Sequence, residues 1–337
     1  MFDQTVQRVG FACKVQESHD KPLSGCNQKS TTIKWLSSQP RSVSEKRLWD
    51  LAQSNVQALQ KQLEYVAKLP HEQRMFRISS ELLPAYTHDD WLAFYFTPDM
   101  TNWLERNLSR CGEYARQHDI RLSFHPGQFC VLASENPQIV ENSVVEFEYH
   151  CDIIRYMGYG RSFQDFKCNV HIGGKRGPQG IREALRKLSR EARNTLTIEN
   201  AEYTWHVEHS LELAKDCALV LDIHHHWIAT GEYIEPSDPK VQQVIESWRG
   251  VRTVIHYSVS REDLLTEHCI QTKPDLGELL QQGFTKAKLR AHSDFYWNRA
   301  CNLWALSFQD KFDIMLEAKE KNLSRENLLN EITNYAY

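Results

Sequence analysis

The chain has 337 residues, 41% of them hydrophobic, and a formal net charge of −4. It can bury one large core, and its overall charge does not draw it to nucleic acid, so any DNA contact must come from a local basic surface. Nine cysteines without a C-x-x-C pair argue against a zinc ribbon or a disulfide framework in a chain too long to need one.

No stretch approaches the roughly 20 apolar residues of a membrane-spanning helix. Asp3 and Gln4 stand where a secretory leader would carry positive charge. A soluble cytoplasmic protein, acting as a monomer, is expected.

In chain order, short β-type runs occupy 8–12, 75–79, 121–124, 169–173, 195–200, 219–224, 253–258 and 312–317. Each ends in polar or glycine residues and is followed by helical signals, the pattern of a parallel α/β sheet. Between the first two runs Leu48, Ala52, Val56, Leu59, Leu63 and Val66 recur three or four apart, and Val140, Val144, Phe147, Cys151 and Ile154 do the same between the third and fourth. Both patterns predict amphipathic helices. Near the end, Ser324 is placed to cap a helix over 325–334 with Leu328, Leu329 and Ile332 facing inward.

The first run leads into Gly10-Phe11-Ala12-Cys13 rather than a glycine-rich phosphate loop, which disfavours an open doubly wound sheet. The expected fold is α/β, a single TIM-type (β/α)8 barrel over residues 1–337. Its long connections, 17–39 after the first strand and 261–289 after the seventh, would lie on the catalytic face and touch substrate.

Histidines and carboxylates recur where these strands end: His125, His171, Glu199, Asp222 with His225, His256 and Glu317, with His292 in the loop after the seventh strand. In a barrel those ends converge on one mouth. So many ionisable groups cannot be buried together without cations to neutralise them. Mixed imidazole and carboxylate donors suit zinc, manganese or iron better than calcium or magnesium, and their number points to two or three ions; manganese is the ion expected, with zinc or magnesium as alternatives.

In the triplet His224-His225-His226, extended neighbours would point to opposite sides. The spacing to Asp222 selects His225, leaving His224 and His226 in supporting or surface positions. His19, His71, His118, His150, His206, His209 and His268 fall in helical or loop segments and are read as ordinary.

These motifs, in this order, resemble the UV damage endonucleases, relatives of the endonuclease-IV-like enzymes within the xylose-isomerase-like barrels. The match runs through Arg8-Val9-Gly10-Phe11, Phe76-Arg77-Ile78-Ser79-Ser80 with His88 downstream, and Ser123-Phe124-His125-Pro126-Gly127-Gln128-Phe129. It continues through Asn169-Val170-His171-Ile172-Gly173-Gly174, Ile198-Glu199-Asn200, Asp222-Ile223-His224-His225, Ile255-His256-Tyr257-Ser258, Ala291-His292-Ser293-Asp294 and Met315-Leu316-Glu317-Ala318-Lys319.

The resemblance implies a metal-dependent endonuclease acting on double-stranded DNA. It would nick 5′ to pyrimidine dimers, (6-4) photoproducts and abasic sites and leave a 3′-hydroxyl, by attack of a metal hydroxide on the phosphodiester. It also implies that Glu199 bridges two ions, with His125 and His171 on one and Asp222, His256 and Glu317 on the other. His225 and His292 would hold a third, and His88 would stand near the scissile phosphate as a catalytic residue beside Glu199.

Gln128 and Phe129 match the family's lesion-probing wedge, and Phe11 stands where some relatives carry tyrosine at the DNA surface. Where some members place a modified lysine ligand, two residues before His256, this chain has Val254, and Asp294 is the candidate substitute. Lys175, Arg176, Arg182, Arg186, Lys187, Arg190 and Arg193 crowd 175–193 and offer a backbone-contacting surface, Lys175 and Arg176 nearest the site. A sugar isomerase or epimerase on the same barrel would instead need a closed pocket, and a non-catalytic lesion binder would need a broken ligand set.

Overall fold

The computed structural model describes residues 2–333, with side chains through residue 330. All eight expected strands form: β1 Val9–Ala12, β2 Met75–Arg77, β3 Arg121–Phe124, β4 Lys167–His171, β5 Leu196–Glu199, β6 Ala218–Asp222, β7 Thr253–Tyr257 and β8 Phe312–Leu316. They pair in parallel and close into a barrel, β1 meeting β8 at Val9 and Ile314 and meeting β2 at Phe11 and Phe76. Gly10 is required at that seam, because an added Cβ would lie 2.6 Å from both the Cβ and the carbonyl oxygen of Met75.

The strands alternate with a period of two. Leu122, Phe124, Cys168, Val170, Ile198, Ile255, Ile314 and Leu316 join the main core under the helices. Ala12, Met75, Ala218, Val220, Val254 and Met315 form a separate apolar plug inside the barrel. At the end opposite the mouth, Asp313 accepts from Arg121 Nη1 at 2.6 Å, Arg252 Nε at 2.7 Å and the Arg8 backbone at 2.8 Å, all buried or nearly so. This knot holds the floor of the barrel.

Most strand boundaries shift by one or two residues from expectation, the second strand ending at Arg77 rather than at 79, and three differences have a clear cause. The sixth strand stops at Asp222, whose carboxylate caps the helix Ile223–Thr230 by accepting from His225 N at 2.7 Å. The histidine triplet is therefore helical rather than extended. The fourth strand begins at Lys167, two residues before the expected start, because a buried lysine carries no strand signal. The last helix spans Lys321–Thr333, and Ser324 sits within its first turn, its hydroxyl donating to the Lys321 carbonyl at 2.8 Å instead of capping. Leu328 is buried as expected, while the side chain of Ile332 and all of Asn334 lie outside the described residues.

The helices Arg41–Ala67 and Pro137–Tyr156 carry the two amphipathic patterns. Both long connections are structured. The first contains the hairpin of Gln16–Ser18 and Lys21–Pro22 and the helix Ile33–Ser37. The second contains the helices Leu276–Gln281 and Lys286–Leu289 and buries Leu265, Leu276, Leu279 and Leu289 against Trp227 and Ile228. It thus braces the helix that bears His224, His225 and His226. All nine cysteines are free, and no described helix is long and apolar enough to cross a membrane.

Candidate metal centre

At the C-terminal ends of the strands the inward phase delivers donors instead of aliphatics. His171 of β4 pairs in register with Glu199 of β5, and Asp222 of β6 with His256 of β7. Four groups of ligand atoms, each within 4.8 Å of one another, result: His125, His171 and Glu199; Glu199, Asp222 and His225; Asp222, His256 and Glu317; and His171, Glu202 and His225. Seven of the eight expected ligands are thereby gathered. His292 belongs to none of these groups, though its Nδ1 lies 3.1 Å from the Glu317 carbonyl.

The ring orientations suit ligation. His125 Nδ1 lies 2.9 Å from the Pro126 carbonyl and His225 Nδ1 lies 3.0 Å from the Asn200 carbonyl. A carbonyl only accepts, so each Nδ1 carries the proton and each Nε2 keeps its lone pair, as in metal-bound histidines. His125 Nε2 and His171 Nε2 face each other at 3.2 Å, with Glu199 Oε2 at 3.3 Å from the former. His256 Nδ1 lies 3.1 Å from Glu199 Oε2 and 3.3 Å from Glu317 Oε1, and Glu199 Oε1 and Asp222 Oδ2 are buried without a hydrogen-bond partner. Buried polar atoms are rarely left so, and this donor set fits divalent cations.

Electrostatics point the same way. Burial, reinforced by the charges of Glu199 and Glu317, pushes the Asp222 carboxyl well above its usual range. Burial also opposes ionisation of Glu199 and Glu317, yet the former is held well below the carboxylate range by His256 and His171, and the latter by Arg77 and His256. Burial lowers His256 to about 4. The two tendencies compete for one proton, and with Arg77 paired to Glu317 and Lys167 Nζ 2.8 Å from His256 Nε2, the neutral ring prevails near pH 7.

Several residues escaped the sequence reading. Asn169 donates to Glu199 Oε2, Arg77 holds Glu317, and Lys167 lies wholly inside the barrel, pushed down to about 7 by burial. Lys167 and Asn169 share the phase of His171 on β4, a signal that period-two reading could have found. Glu202, buried three residues after Glu199, was also missed. His224 and His226 are both buried rather than at the surface, the former stacked on Trp227 within the same helix. His19, read as ordinary, meets Glu320 at 3.1 Å and Asp20 at 3.3 Å in a separate group beside the hairpin.

Beyond the ligands, Phe129 is 86% exposed at the tip of the loop after β3, and Gln128 is exposed beside it. His88 caps the helix Asp89–Tyr95, Nδ1 accepting from Asp90 N at 3.3 Å, and lines the same groove as Gln128 and Phe129 rather than joining a ligand group. Phe11 cannot touch DNA: it is fully buried, packed edge-on against Phe76 and Tyr65. Asp294 pairs with Lys319 at 2.9 Å and joins no ligand group, so it does not replace the missing lysine. Four of the basic residues of 175–193 are already matched to acids: Lys175 to Glu135, Arg176 to Glu183, Arg182 to Asp216 and Lys187 to Glu141.

The family model described as UV-endonuclease UvdE matches residues 7–337. The chain belongs to the UvdE family. It is 25% identical over 340 residues to a UV DNA damage endonuclease of Bacillus thuringiensis subsp. konkukian (strain 97-27), covering 97% of this chain and 95% of the relative. It is 26% identical over 335 residues to the UV DNA damage endonuclease of Bacillus cereus (strain B4264), covering 94% and 93%.

Among solved structures, that of SacUVDE aligns over 97% of this chain and 98% of its own, with 26% identity and a TM-score of 0.73. Endonuclease IV from Thermus thermophilus shares the fold, with a TM-score of 0.53 at 15% identity over 82% and 93% of the two chains. Within this UvdE-family chain Val254 lies in the apolar plug, and Lys167 of β4 places its amine 2.8 Å from His256 Nε2.

Proposed function

We propose that this UvdE-family chain is a divalent-metal-dependent DNA repair endonuclease. It nicks the backbone 5′ to pyrimidine dimers and (6-4) photoproducts, and at abasic sites, leaving a 3′-hydroxyl. The observation that carries this reading is the gathering of donors at one barrel mouth, where Glu199 Oε1 and Asp222 Oδ2 are buried without a hydrogen-bond partner. Held there, a divalent cation would lower the pKa of a bound water toward roughly 7 and offset the charge of the reacting phosphate.

The chain's own residues do the placing. Glu199 belongs to two groups of donors, one with His125 and His171 and one with Asp222 and His225, and would bridge the ions they hold; Asp222 also belongs to the group of His256 and Glu317. Arg77 keeps Glu317 ionised and oriented. Phe129 and Gln128, exposed on the rim, wedge into the duplex, where stacking is weak at a lesion and opening costs less than the few kcal/mol of an intact step. His88 contacts a phosphate from the wall of the same groove. An exposed aromatic on an open rim suits a polymer substrate better than a small sugar, which needs enclosure.

The test is incubation of purified protein with Mn²⁺ and an end-labelled duplex carrying one defined photoproduct, beside undamaged duplex, chelator and Glu199→Gln controls. A single nick 5′ to the lesion, absent in all three controls, is expected. Nicking that survives chelation, or survives in Glu199→Gln, would overturn the metal-centre reading.

A further inference from the structure

We infer that Glu202 is a ligand of a further ion held with His225 beside His171, its carboxylate aimed by Arg290; this rests on the metal-centre reading above. Glu202 lies in the loop after β5, closed by the Ala201 N–H donating to the Trp205 carbonyl at 2.8 Å and the Trp205 indole donating to the Gly174 carbonyl at 2.6 Å. The loop turns the carboxylate into the mouth, where it is 7% exposed. A carboxylate oxygen and a nitrogen from each of His171 and His225 lie within 4.8 Å of one another.

His225 commits its Nδ1 proton to the Asn200 carbonyl at 3.0 Å, so its free lone pair is on Nε2. His292, the partner for His225 that the family resemblance implies, joins no such group among the described residues. Its ring centroid lies 6.4 Å from that of His224.

Arg290 follows the helix Lys286–Leu289 at the end of the long connection after β7, and its Nη1 pairs with Glu202 Oε1. That contact fixes the side chain while leaving further acceptor positions on the carboxylate. The connection at 261–289 thereby acquires a purpose: it braces the histidine-bearing helix and delivers the arginine that aims Glu202. A carboxylate held by a second group is the usual arrangement for a metal ligand.

The experiment strips full-length protein with chelator, titrates Mn²⁺ by calorimetry and by loss of the free-ion EPR signal, and counts ions per chain. Glu202→Gln is expected to lose one ion, or to weaken the weakest step at least tenfold, while circular dichroism is unchanged. His292→Ala should keep the wild-type count, and Arg290→Gln should keep the count but loosen the same step. Wild-type count and affinities in Glu202→Gln would overturn the inference alone, as would equal thermal destabilisation of Glu202→Gln and Arg290→Gln with no change in Mn²⁺ uptake, the signature of a merely structural ion pair. A wild-type chain that takes up no Mn²⁺ would overturn both this inference and the reading beneath it.

Discussion

His150 makes the stability of the fold depend on pH in a way that can be worked out. The ring is fully buried against Phe124 and Tyr149, its Nδ1 donating to the Glu146 carbonyl at 2.8 Å while Nε2 has no partner. Burial lowers it from 6.5 to about 4. In the unfolded chain it titrates near 6.5, so between those values the unfolded state binds the extra proton. The contribution is therefore intact above pH 6.5 and is lost as pH falls toward 4; below that both states are protonated and the dependence ends. Each tenfold difference in proton affinity between the two states is worth about 1.4 kcal/mol, which makes the loss roughly 3 kcal/mol.

Asn keeps a donor for Glu146 but cannot titrate, so His150→Asn isolates the effect. Urea unfolding of chelated wild type and variant at intervals from pH 7.5 to 4.5 gives the comparison, and groups common to both cancel. The variant should lose roughly 2–3 kcal/mol less stability over that range than the wild type. Parallel pH profiles for the two proteins would refute the argument.

Three further outcomes are expected. Adding Mn²⁺ to roughly a thousand times its dissociation constant should stabilise the chain by about 4 kcal/mol, seen as a higher thermal midpoint that chelator reverses; an unmoved midpoint would count against ion binding at the mouth. Phe129→Ala should reduce nicking of a photoproduct duplex by about five- to a hundredfold, corresponding to roughly 1–3 kcal/mol of lost stacking, with the thermal midpoint unchanged because the ring is 86% exposed; equal rates would return Phe129 to an idle surface residue. Asp313→Asn leaves Arg121 and Arg252 without their buried counter-charge and should cost about 3–5 kcal/mol in urea unfolding without altering Mn²⁺ uptake, since the knot lies at the far end of the barrel.

The donors gathered at the mouth were legible because a strand end is a place where sequence and position coincide. His125, His171, Glu199, Asp222, His256 and Glu317 each close a run whose alternation sets which way they point. Lys167, Asn169 and Arg77 were not, because a polar residue within a strand reads as a break in the apolar pattern unless the barrel interior is known to be polar. Phe11 was misplaced for a related reason: family position suggested the DNA surface, whereas its phase on β1 turns it outward, under the helices.

By itself, the sequence determined the eight βα units and the convergence of six donor-bearing strand ends, since hydrophobic period and turn residues are local properties of the chain. Only the tertiary structure decided which donors stand together. His225 stands within reach of Glu202 and His171 because Asp222 caps a helix that rotates the triplet and because a loop and an arginine 88 residues apart meet across the mouth. Such distances depend on packing between segments far apart in the chain, and no local pattern records them.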